Sequence, residues 1–292
     1  MRKMIARVSS SAVLVAALLL TGCAGSNIQP VRAQGTVTVP DAVDHSALTQ
    51  LLQTYVDEQG MVDYAGLQAD RDSVLAPYLQ MLAETDPSNL DEPERLAFWI
   101  NAYNALTLKL VIAEYPVDSI KDITPYPGPM VPKINSPWLV KVGEVGGTMR
   151  TLDAIEHDII RERFDEPRIH FALVCAAMSC PKLRQEAFTG AALDRQLDDQ
   201  GRTFLHHAAK NEIPPTDDEI RLSRIFKWFE GDFGPDTDAV QRYLARYFEG
   251  DTAQQLQAAA YDVEYLDYDW TLNDQAIADG RPQQAAASSS QR

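Results

Sequence analysis

The chain has 292 residues, of which 45% are hydrophobic, 23% charged and 8% aromatic. This composition is typical of one globular domain or two small ones, and it excludes a wholly disordered, collagen-like or disulfide-dense protein. The 42 acidic residues outnumber the 26 basic ones, and the formal net charge of −16 has the wrong sign for wrapping a phosphate backbone, so we expect no nucleic acid partner.

The N-terminus has the pattern of an exported protein. Three basic residues stand among the first seven, an uninterrupted apolar run covers residues 12–20, and a Leu-Thr-Gly-Cys sequence ends at Cys23. The pattern predicts a signal peptide over residues 1–22 and not a membrane span. Its ending resembles the bacterial lipobox, which implies that Cys23 is acylated and becomes the mature N-terminus. The alternative is an ordinary secreted protein that is cleaved nearby.

The residue after Cys23 indicates where such a lipoprotein is retained. Ala24 stands where retention in the inner membrane would usually show Asp, so the resemblance implies an outer-membrane anchor with the domain in the periplasm. Cleavage would leave 23 basic and 42 acidic residues, a net charge of −19, so we expect the membrane contact to be the lipid alone. We predict a tether over 23–40, a globular domain over 41–273 and a disordered tail over 274–292.

Helices dominate the first part of the globular domain. Apolar residues at helical spacing after Ser46 predict a first helix that ends before Gly60, and a second helix is predicted over 72–83. The longest helical pattern runs from Pro93 to Tyr115, where Pro116 blocks its continuation.

Two asparagines fall inside an apolar sector of this long helix. At 100° per residue, Asn101 and Asn104 lie among apolar side chains, so we expect both amides to be buried. A buried amide without hydrogen-bond partners costs about 1–3 kcal/mol. Either the two side chains satisfy the backbone of a crossing loop, or they bind a substrate carbonyl or orient a catalytic group.

The middle of the chain mixes a loop, a hairpin and a helix. Five prolines between residues 124 and 137 predict a long surface loop of the kind that forms binding lids or rims. Segments 138–145 and 148–152 predict a hairpin around Gly146 and Gly147. A helix over 153–164, which carries His157, is predicted next.

An apolar run over 168–176, interrupted by His170, then predicts a strand covered on both faces. Pro181 suits the first position of a helix, with Cys180 or Ser179 as the N-cap. We further predict a helix over 191–209, a strand over 219–225, an aromatic turn over 226–229, a helix over 238–248 and a strand over 261–266. Because helices outweigh scattered strands, we expect an α+β domain with a small mixed or antiparallel sheet.

Cys175 and Cys180 are the two cysteines that remain if Cys23 is acylated. In an oxidising periplasm they could form a disulfide that closes a tight loop. Alternatively, a thiol at a helix N-terminus has a lowered pKa and could act as a nucleophile with His157 or His170 as its base.

In that arrangement Asn101 or Asn104 would orient the imidazole or bind an oxyanion. Ser179 is a further candidate nucleophile, provided that a base lies within hydrogen-bond reach. The histidines also have structural interpretations: His170 as a satisfied core residue and His157 as part of a surface network. No metal-site spacing and no Gly-rich phosphate loop occurs in the sequence, so we expect no cofactor.

Several blocks of the sequence, taken in order, resemble the family named domain of unknown function 547 (DUF547). The resemblance spans residues 41–273 and implies a domain identity without an established reaction. Some relatives carry a glutaredoxin-like domain, which implies thiol chemistry, whereas plant relatives lack a cysteine at the place of Cys180. The resemblance then implies that Ser179, the two histidines and the two asparagines are the candidate site residues more widely shared in the family. The matching blocks are 97–105, 155–161, 165–175, 179–183, 223–228 and 265–270.

The leading expectation is a cleft built from the asparagine helix, the His157 helix and the Cys175–Cys180 turn. If the domain is an enzyme, we expect a papain-like or transglutaminase-like hydrolase or acyl transferase that acts on an amide or peptide bond. One alternative is a noncatalytic binding or envelope-assembly module with a disulfide, in which the Pro-rich loop, Trp138 and Trp228 form a surface for an unidentified periplasmic ligand or protein. A thiol-redox protein is the other alternative.

Overall fold

The computed structural model describes residues 42–124, 136–213 and 218–284, all within the compact unit formed by Val39–Arg292. The predicted signal peptide, Cys23, the tether and most of the Pro-rich loop lie outside the described residues. Within them the fold is helix-rich with two small two-stranded sheets, so the predicted α+β class is confirmed.

Four helices form the first part of the domain: α1 (Ser46–Tyr55), α2 (Tyr64–Val74), α3 (Ala76–Glu84) and α4 (Glu92–Glu114). The predicted first and long helices are confirmed, but the single helix predicted over 72–83 is wrong. Pro77 lies in the first turn of α3, the one place where a missing N–H costs nothing, so a new helix starts there. Asp63 begins α2 earlier than predicted, because its side chain accepts a hydrogen bond from the Gly66 N–H.

Helix α4 is the centre of the main hydrophobic core. Its N-terminus is capped by Asp91, whose side chain accepts a hydrogen bond from the Glu94 N–H. Seventeen of its 23 residues are buried. The helix has the length and the mean hydropathy, 1.4, of a membrane span, but 89% of that window is buried inside the protein, as in the core helix of a soluble domain.

The two sheets are separate and small. Strands β1 (Gly143–Val145) and β2 (Thr148–Arg150) form an antiparallel hairpin in which Gly143 pairs with Arg150. Gly146 and Gly147 both have positive φ in the turn, as a two-residue hairpin of type I′ requires, so the predicted hairpin is confirmed. Its strands are shorter than the predicted segments 138–145 and 148–152, because Pro137–Leu139 form a 3₁₀ helix. Strands β3 (Glu219–Leu222) and β4 (Asp262–Tyr265) pair in parallel.

The strand predicted over 168–176 is wrong. Residues Pro167–Phe171 form a 3₁₀ helix, and the chain then runs irregularly through the two cysteines. The run is apolar because most of it packs in the core, and the Ala172 carbonyl and the Val174 N–H bond with the Asn104 side chain rather than with a neighbouring strand. The helix predicted after Pro181 is also absent, since residues 181–189 contain no helix, and neither Ser179 nor Cys180 is an N-cap.

The segment that carries His157 is helical, as predicted, but its geometry is unusual. Ala154–Ile160 form a π-helix that continues into α5 (Arg161–Arg163). A π-helix is rare, and its short occurrences are often found at functional sites. This one lies on the wall of the cavity described below.

The second half of the chain surrounds a smaller core of Phe171, Phe204, Phe226 and their neighbours. The predicted aromatic turn is instead a short helix, and three further helices were not predicted. The start of the predicted tail is ordered instead: Asp274 is buried and caps a helix over Gln275–Ala278, while residues 285–292 lie outside the described residues. The helices are α6 (Leu193–Leu205), α7 (Ile225–Trp228), α8 (Glu230–Phe233), α9 (Thr237–Leu244), α10 (Gly250–Gln257) and α11 (Gln275–Ala278).

Candidate functional site

A cavity of about 330 Å³ lies between the two cores, at the end of the irregular segment that carries the cysteines. Six aromatic side chains, two carboxylates, two histidines and both cysteines line it. Its position and mixed lining are typical of a small-molecule site. The lining residues are Tyr103, Ser136, Trp138, Asp153, Glu156, His157, His170, Leu173, Cys175, Cys180, Pro181, Ile225, Trp228, Phe229, Tyr268 and Trp270.

Cys175 and Cys180 form a disulfide in the wall of this cavity. The Cys175 N–H points at the Cys180 Sγ, 3.1 Å away, and the Tyr268 hydroxyl lies 3.3 and 3.2 Å from the Cys175 and Cys180 sulfurs. Between them, Ala176 has a φ of 59°, a left-handed conformation that costs an alanine about 1–2 kcal/mol. While the bond is intact, neither sulfur is a thiolate.

The two predicted histidines belong to one continuous polar chain. His170 is buried, stacks on Phe229 with the ring centres 3.9 Å apart, and bonds through Nε2 to the Asp232 carboxylate at 2.7 Å. The same carboxylate receives two hydrogen bonds from Arg161, at 2.6 and 2.7 Å. Arg161 also lies 2.8 Å from Nδ1 of His157.

These contacts show which histidine nitrogen accepts a hydrogen bond and which one carries the proton. Because a guanidinium only donates, the His157 Nδ1 accepts from Arg161, and the ring proton is therefore on Nε2, which lies 3.9 Å from Asp153. Burial alone would raise the pKa of Asp232, but the hydrogen bonds from His170 and Arg161 outweigh it and hold that pKa well below its ordinary value.

Glu156 places a second carboxylate at the cavity. Its side chain is buried, and Tyr103 hydrogen-bonds to it while accepting a hydrogen bond from the Trp138 Nε1 at 3.3 Å. Burial, the Glu156 charge and the hydrogen bond to Glu156 raise the pKa of Tyr103 well above its ordinary value, although the hydrogen bond from Trp138 lowers it. Burial and the same charge also raise the pKa of Tyr268. The negative potential of Glu156 is therefore felt on two sides of the cavity.

An aromatic wall faces these polar groups. Trp270 lies 5.7 Å from Trp138, 5.8 Å from Trp228 and 4.5 Å from Tyr268, measured between ring centres. The Nζ of Lys121 lies 3.7 Å from the centre of the Trp270 ring, which is a close cation–π contact. Trp228 is 45% exposed and leaves the cavity open to solvent.

Asn101 and Asn104 are buried, as predicted, and both bind the backbone of a crossing segment. Asn101 donates to the Phe188 carbonyl at 2.7 Å and accepts from the Phe188 N–H at 2.9 Å. Asn104 donates to the Ala172 carbonyl and accepts from the Val174 N–H, each at 3.0 Å. In the described part of the chain, neither amide lines the cavity. This geometry matches the structural interpretation of the two asparagines.

Ser179 also lies away from the cavity lining. Its Oγ accepts a hydrogen bond from the Asp269 N–H at 2.9 Å, and its own N–H donates to the Asp269 carbonyl. Of the predicted site residues, the structure brings together His157, His170, Cys175 and Cys180, and it leaves Ser179 and the two asparagines outside. The described ranges contain no cluster of three His, Cys, Asp or Glu side chains suited to a metal ion.

Several lining residues were not singled out from the sequence. Tyr268 and Trp270 lie in one of the blocks that carried the family resemblance, so that block was the available signal. Asp232, in contrast, is 62 residues from His170 and 71 from Arg161, and no local pattern connects these three residues.

Comparison with known proteins gives one match, to a protein-family model that covers part of the chain. No curated protein and no solved structure matches the chain. The region that matches a protein-family model includes α4, the π-helix, Cys175 and Cys180. Trp228, Tyr268 and Trp270 lie beyond it. Residues 87–205 match the model of the family described as "Protein of unknown function, DUF547".

Proposed function

We propose that the domain is a noncatalytic ligand-binding module and that its ligand is a small molecule held in the aromatic cavity. The observation that carries this proposal is the cavity wall itself, in which Trp138, Trp228, Tyr268 and Trp270 stand beside the Cys175–Cys180 disulfide. A disulfide supplies no nucleophile, and the asparagines that would assist one bind the backbone instead.

Intrinsic tryptophan fluorescence tests this proposal directly. Three of the four tryptophans line the cavity, while Trp99 is buried in the main core, so a bound ligand should change the emission spectrum. A small-molecule library is screened by fluorescence and by thermal shift, because a ligand that binds only the folded state raises the melting temperature. We expect hits whose affinity falls at least tenfold in Trp228→Ala, since aromatic side chains contribute much of the binding energy at such sites.

The matched control is Met149→Ala. Met149 is 48% exposed on the hairpin and does not line the cavity, so this variant should bind each hit as the wild type does. Equal loss of binding in both variants, or hits that bind Trp228→Ala unchanged, would contradict the proposal.

The cysteine-dependent hydrolase or acyl transferase is the second candidate, and it applies to the reduced protein. Supporting it, both sulfurs and both histidines line one cavity. Against it, His170 Nε2 is bound to Asp232 and His157 Nδ1 to Arg161. A thiol-directed electrophile applied after reduction tests this candidate: labelling at Cys175 or Cys180 that is lost in His157→Asn would favour the enzyme over the binding module. Reversible cycling of the pair without labelling would favour a thiol-redox protein.

We also propose that Cys23 carries the lipid of an outer-membrane lipoprotein and that the domain faces the periplasm. The lipobox-like sequence supports the anchor, and the disulfide is of the kind that persists in an oxidising compartment. Metabolic labelling with palmitate should mark the wild type and not Cys23→Ser. Label retained in that variant would overturn the assignment.

A further inference from the structure

We infer that the ligand of the aromatic cavity is a small organic cation, such as a substituted ammonium. This inference rests on the proposed ligand-binding function and adds the charge class of the ligand. Three independent observations lead to it: the charge of the lining, the arrangement of the rings and an ammonium group that the chain already holds.

The ionisable groups of the lining favour a positive ligand. Among the lining residues that the structure describes, Asp153 and Glu156 are carboxylates, and no lysine or arginine is present. The guanidinium of Arg161, which contacts the lining residue His157, is neutralised by two hydrogen bonds to Asp232. Two ammonium groups also contact lining residues from outside the lining, Lys121 at the Trp270 ring and Lys210 at the Cys180 carbonyl. An anion would meet two carboxylates that form no ion pair with a lysine or arginine among the described residues, whereas a cation would be attracted both by them and by the net charge of −16.

Glu156 is the more important of the two carboxylates. It is buried and hydrogen-bonded to Tyr103, and both residues line the cavity. Asp153 is half exposed and lies at the rim, 3.9 Å from His157 Nε2. A buried carboxylate is strongly favoured when an opposite charge approaches it, because water screens the attraction poorly there.

The rings supply the second half of a cation site. Trp228, Tyr268 and Trp270 contact one another: the ring centres are 4.8 Å apart for Trp228 and Tyr268, 5.8 Å for Trp228 and Trp270, and 4.5 Å for Tyr268 and Trp270. Trp138 is an edge-on neighbour of Trp270. The negative faces of such rings attract a cation, most strongly for tryptophan, and quaternary ammonium groups are recognised by clusters of this kind.

The chain itself demonstrates this affinity. The Lys121 ammonium rests 3.7 Å from the centre of the Trp270 ring, within the range of a cation–π contact. The ion pairs of the described residues include none with Lys121, so this ammonium lies on an aromatic ring without a carboxylate beside it. A ligand cation in the cavity would meet the same ring chemistry with a carboxylate added.

Choline and its neutral isostere 3,3-dimethylbutan-1-ol provide the test. The two probes have nearly the same shape, and only choline carries a charge. Titration of the full chain with each probe, followed by tryptophan fluorescence and calorimetry, should show choline binding at least tenfold tighter than the alcohol. Equal or tighter binding of the alcohol would refute the cation inference while supporting an apolar ligand site. The inference would also be refuted if choline showed no binding at a concentration ten times the dissociation constant of a hit from the screen.

Two charge-neutralising variants locate the preference. Glu156→Gln keeps the size of the side chain and removes its charge, so choline should bind about tenfold more weakly and the alcohol as before. Asp153→Asn, at the half-exposed rim, should weaken choline binding by a smaller factor and serves if the buried substitution fails to fold. The matched control is Asp158→Asn, which removes the same charge from an exposed position of the same π-helix and should leave choline affinity unchanged. An equal effect of all three variants would assign the preference to overall charge and overturn the site.

Discussion

Replacing Asn104 with alanine is the sharpest test of how the cavity wall is held. The Asn104 amide pairs with two backbone groups of the segment that leads into Cys175, the Ala172 carbonyl and the Val174 N–H. Both hydrogen bonds are buried, and this irregular segment has no neighbouring strand to replace them. Removing the amide therefore leaves one acceptor and one donor without a partner and away from water.

The expected cost is large for a single side chain. Each buried backbone group that loses its partner costs about 1–3 kcal/mol, so we expect Asn104→Ala to lower the free energy of unfolding by about 2–6 kcal/mol. In a domain of this size, a loss of about 3 kcal/mol corresponds to a melting temperature about 6–12 °C lower. Urea unfolding followed by circular dichroism measures the change.

Two further variants separate hydrogen bonding from packing. Asn104→Leu keeps the branched shape and the number of side-chain heavy atoms but cannot form either hydrogen bond, so it should lose at least about as much stability as the alanine variant. Thr107→Val removes a buried hydroxyl on the same helix that bonds only to the Tyr103 carbonyl one turn earlier, and it should cost less than about 1 kcal/mol.

A loss below about 1 kcal/mol in Asn104→Ala would refute the idea that the Asn104 amide holds the segment leading into Cys175. So would full stability with abolished ligand binding, because that result would give the amide a direct role at the site instead.

Three other predictions concern stability. Burial lowers the pKa of His45 to about 4 from an ordinary value near 6.5, so the unfolded chain binds more protons than the folded one between these pH values. The free energy of unfolding should therefore fall by about 3 kcal/mol as the pH drops from 6.5 to 4. In His45→Gln, the free energy of unfolding should lack this part of its pH dependence. Reducing the Cys175–Cys180 disulfide, or replacing both cysteines with serine, should lower the free energy of unfolding by about 2 kcal/mol because the closed loop is short, and an unchanged urea midpoint would contradict this. Gly190→Ala should lower the free energy of unfolding by about 1–3 kcal/mol in urea unfolding, since its Cβ would lie 2.7 Å from the Glu94 backbone nitrogen. Gly231→Ala, whose Cβ would have no atom within 4 Å, should be nearly neutral in the same measurement.

The sequence pattern predicted the structure correctly where signals within a few residues determine an element. The capped and proline-terminated helix α4 and the Gly146-Gly147 hairpin follow from start, stop and turn signals that act within a few residues. The same reasoning failed at residues 168–176, where a run of apolar residues has the composition of a buried strand. A buried irregular segment has that composition too, and only its hydrogen-bond partners distinguish the two.

The candidate site was predictable in part for the same reason. His157, His170, Cys175 and Cys180 stand close together in the sequence, and the structure brings all four to one cavity. The sequence could not decide between a thiolate and a disulfide, because that depends on the distance between the two sulfurs. Nor could it show that the asparagines face the backbone rather than the cavity, since burial alone is common to both interpretations.

What the sequence by itself determined was the helix-rich α+β class, the burial of α4 and its two amides, and the concentration of histidines and cysteines in one region. These features depend on periodicity, capping and composition, which are local. The tertiary structure alone decided that Asp232 joins the two histidines through Arg161, that Tyr268 and Trp270 complete an aromatic wall, and that Glu156 faces it. Those contacts connect residues tens of positions apart, and their geometry depends on how the elements pack rather than on any pattern within them.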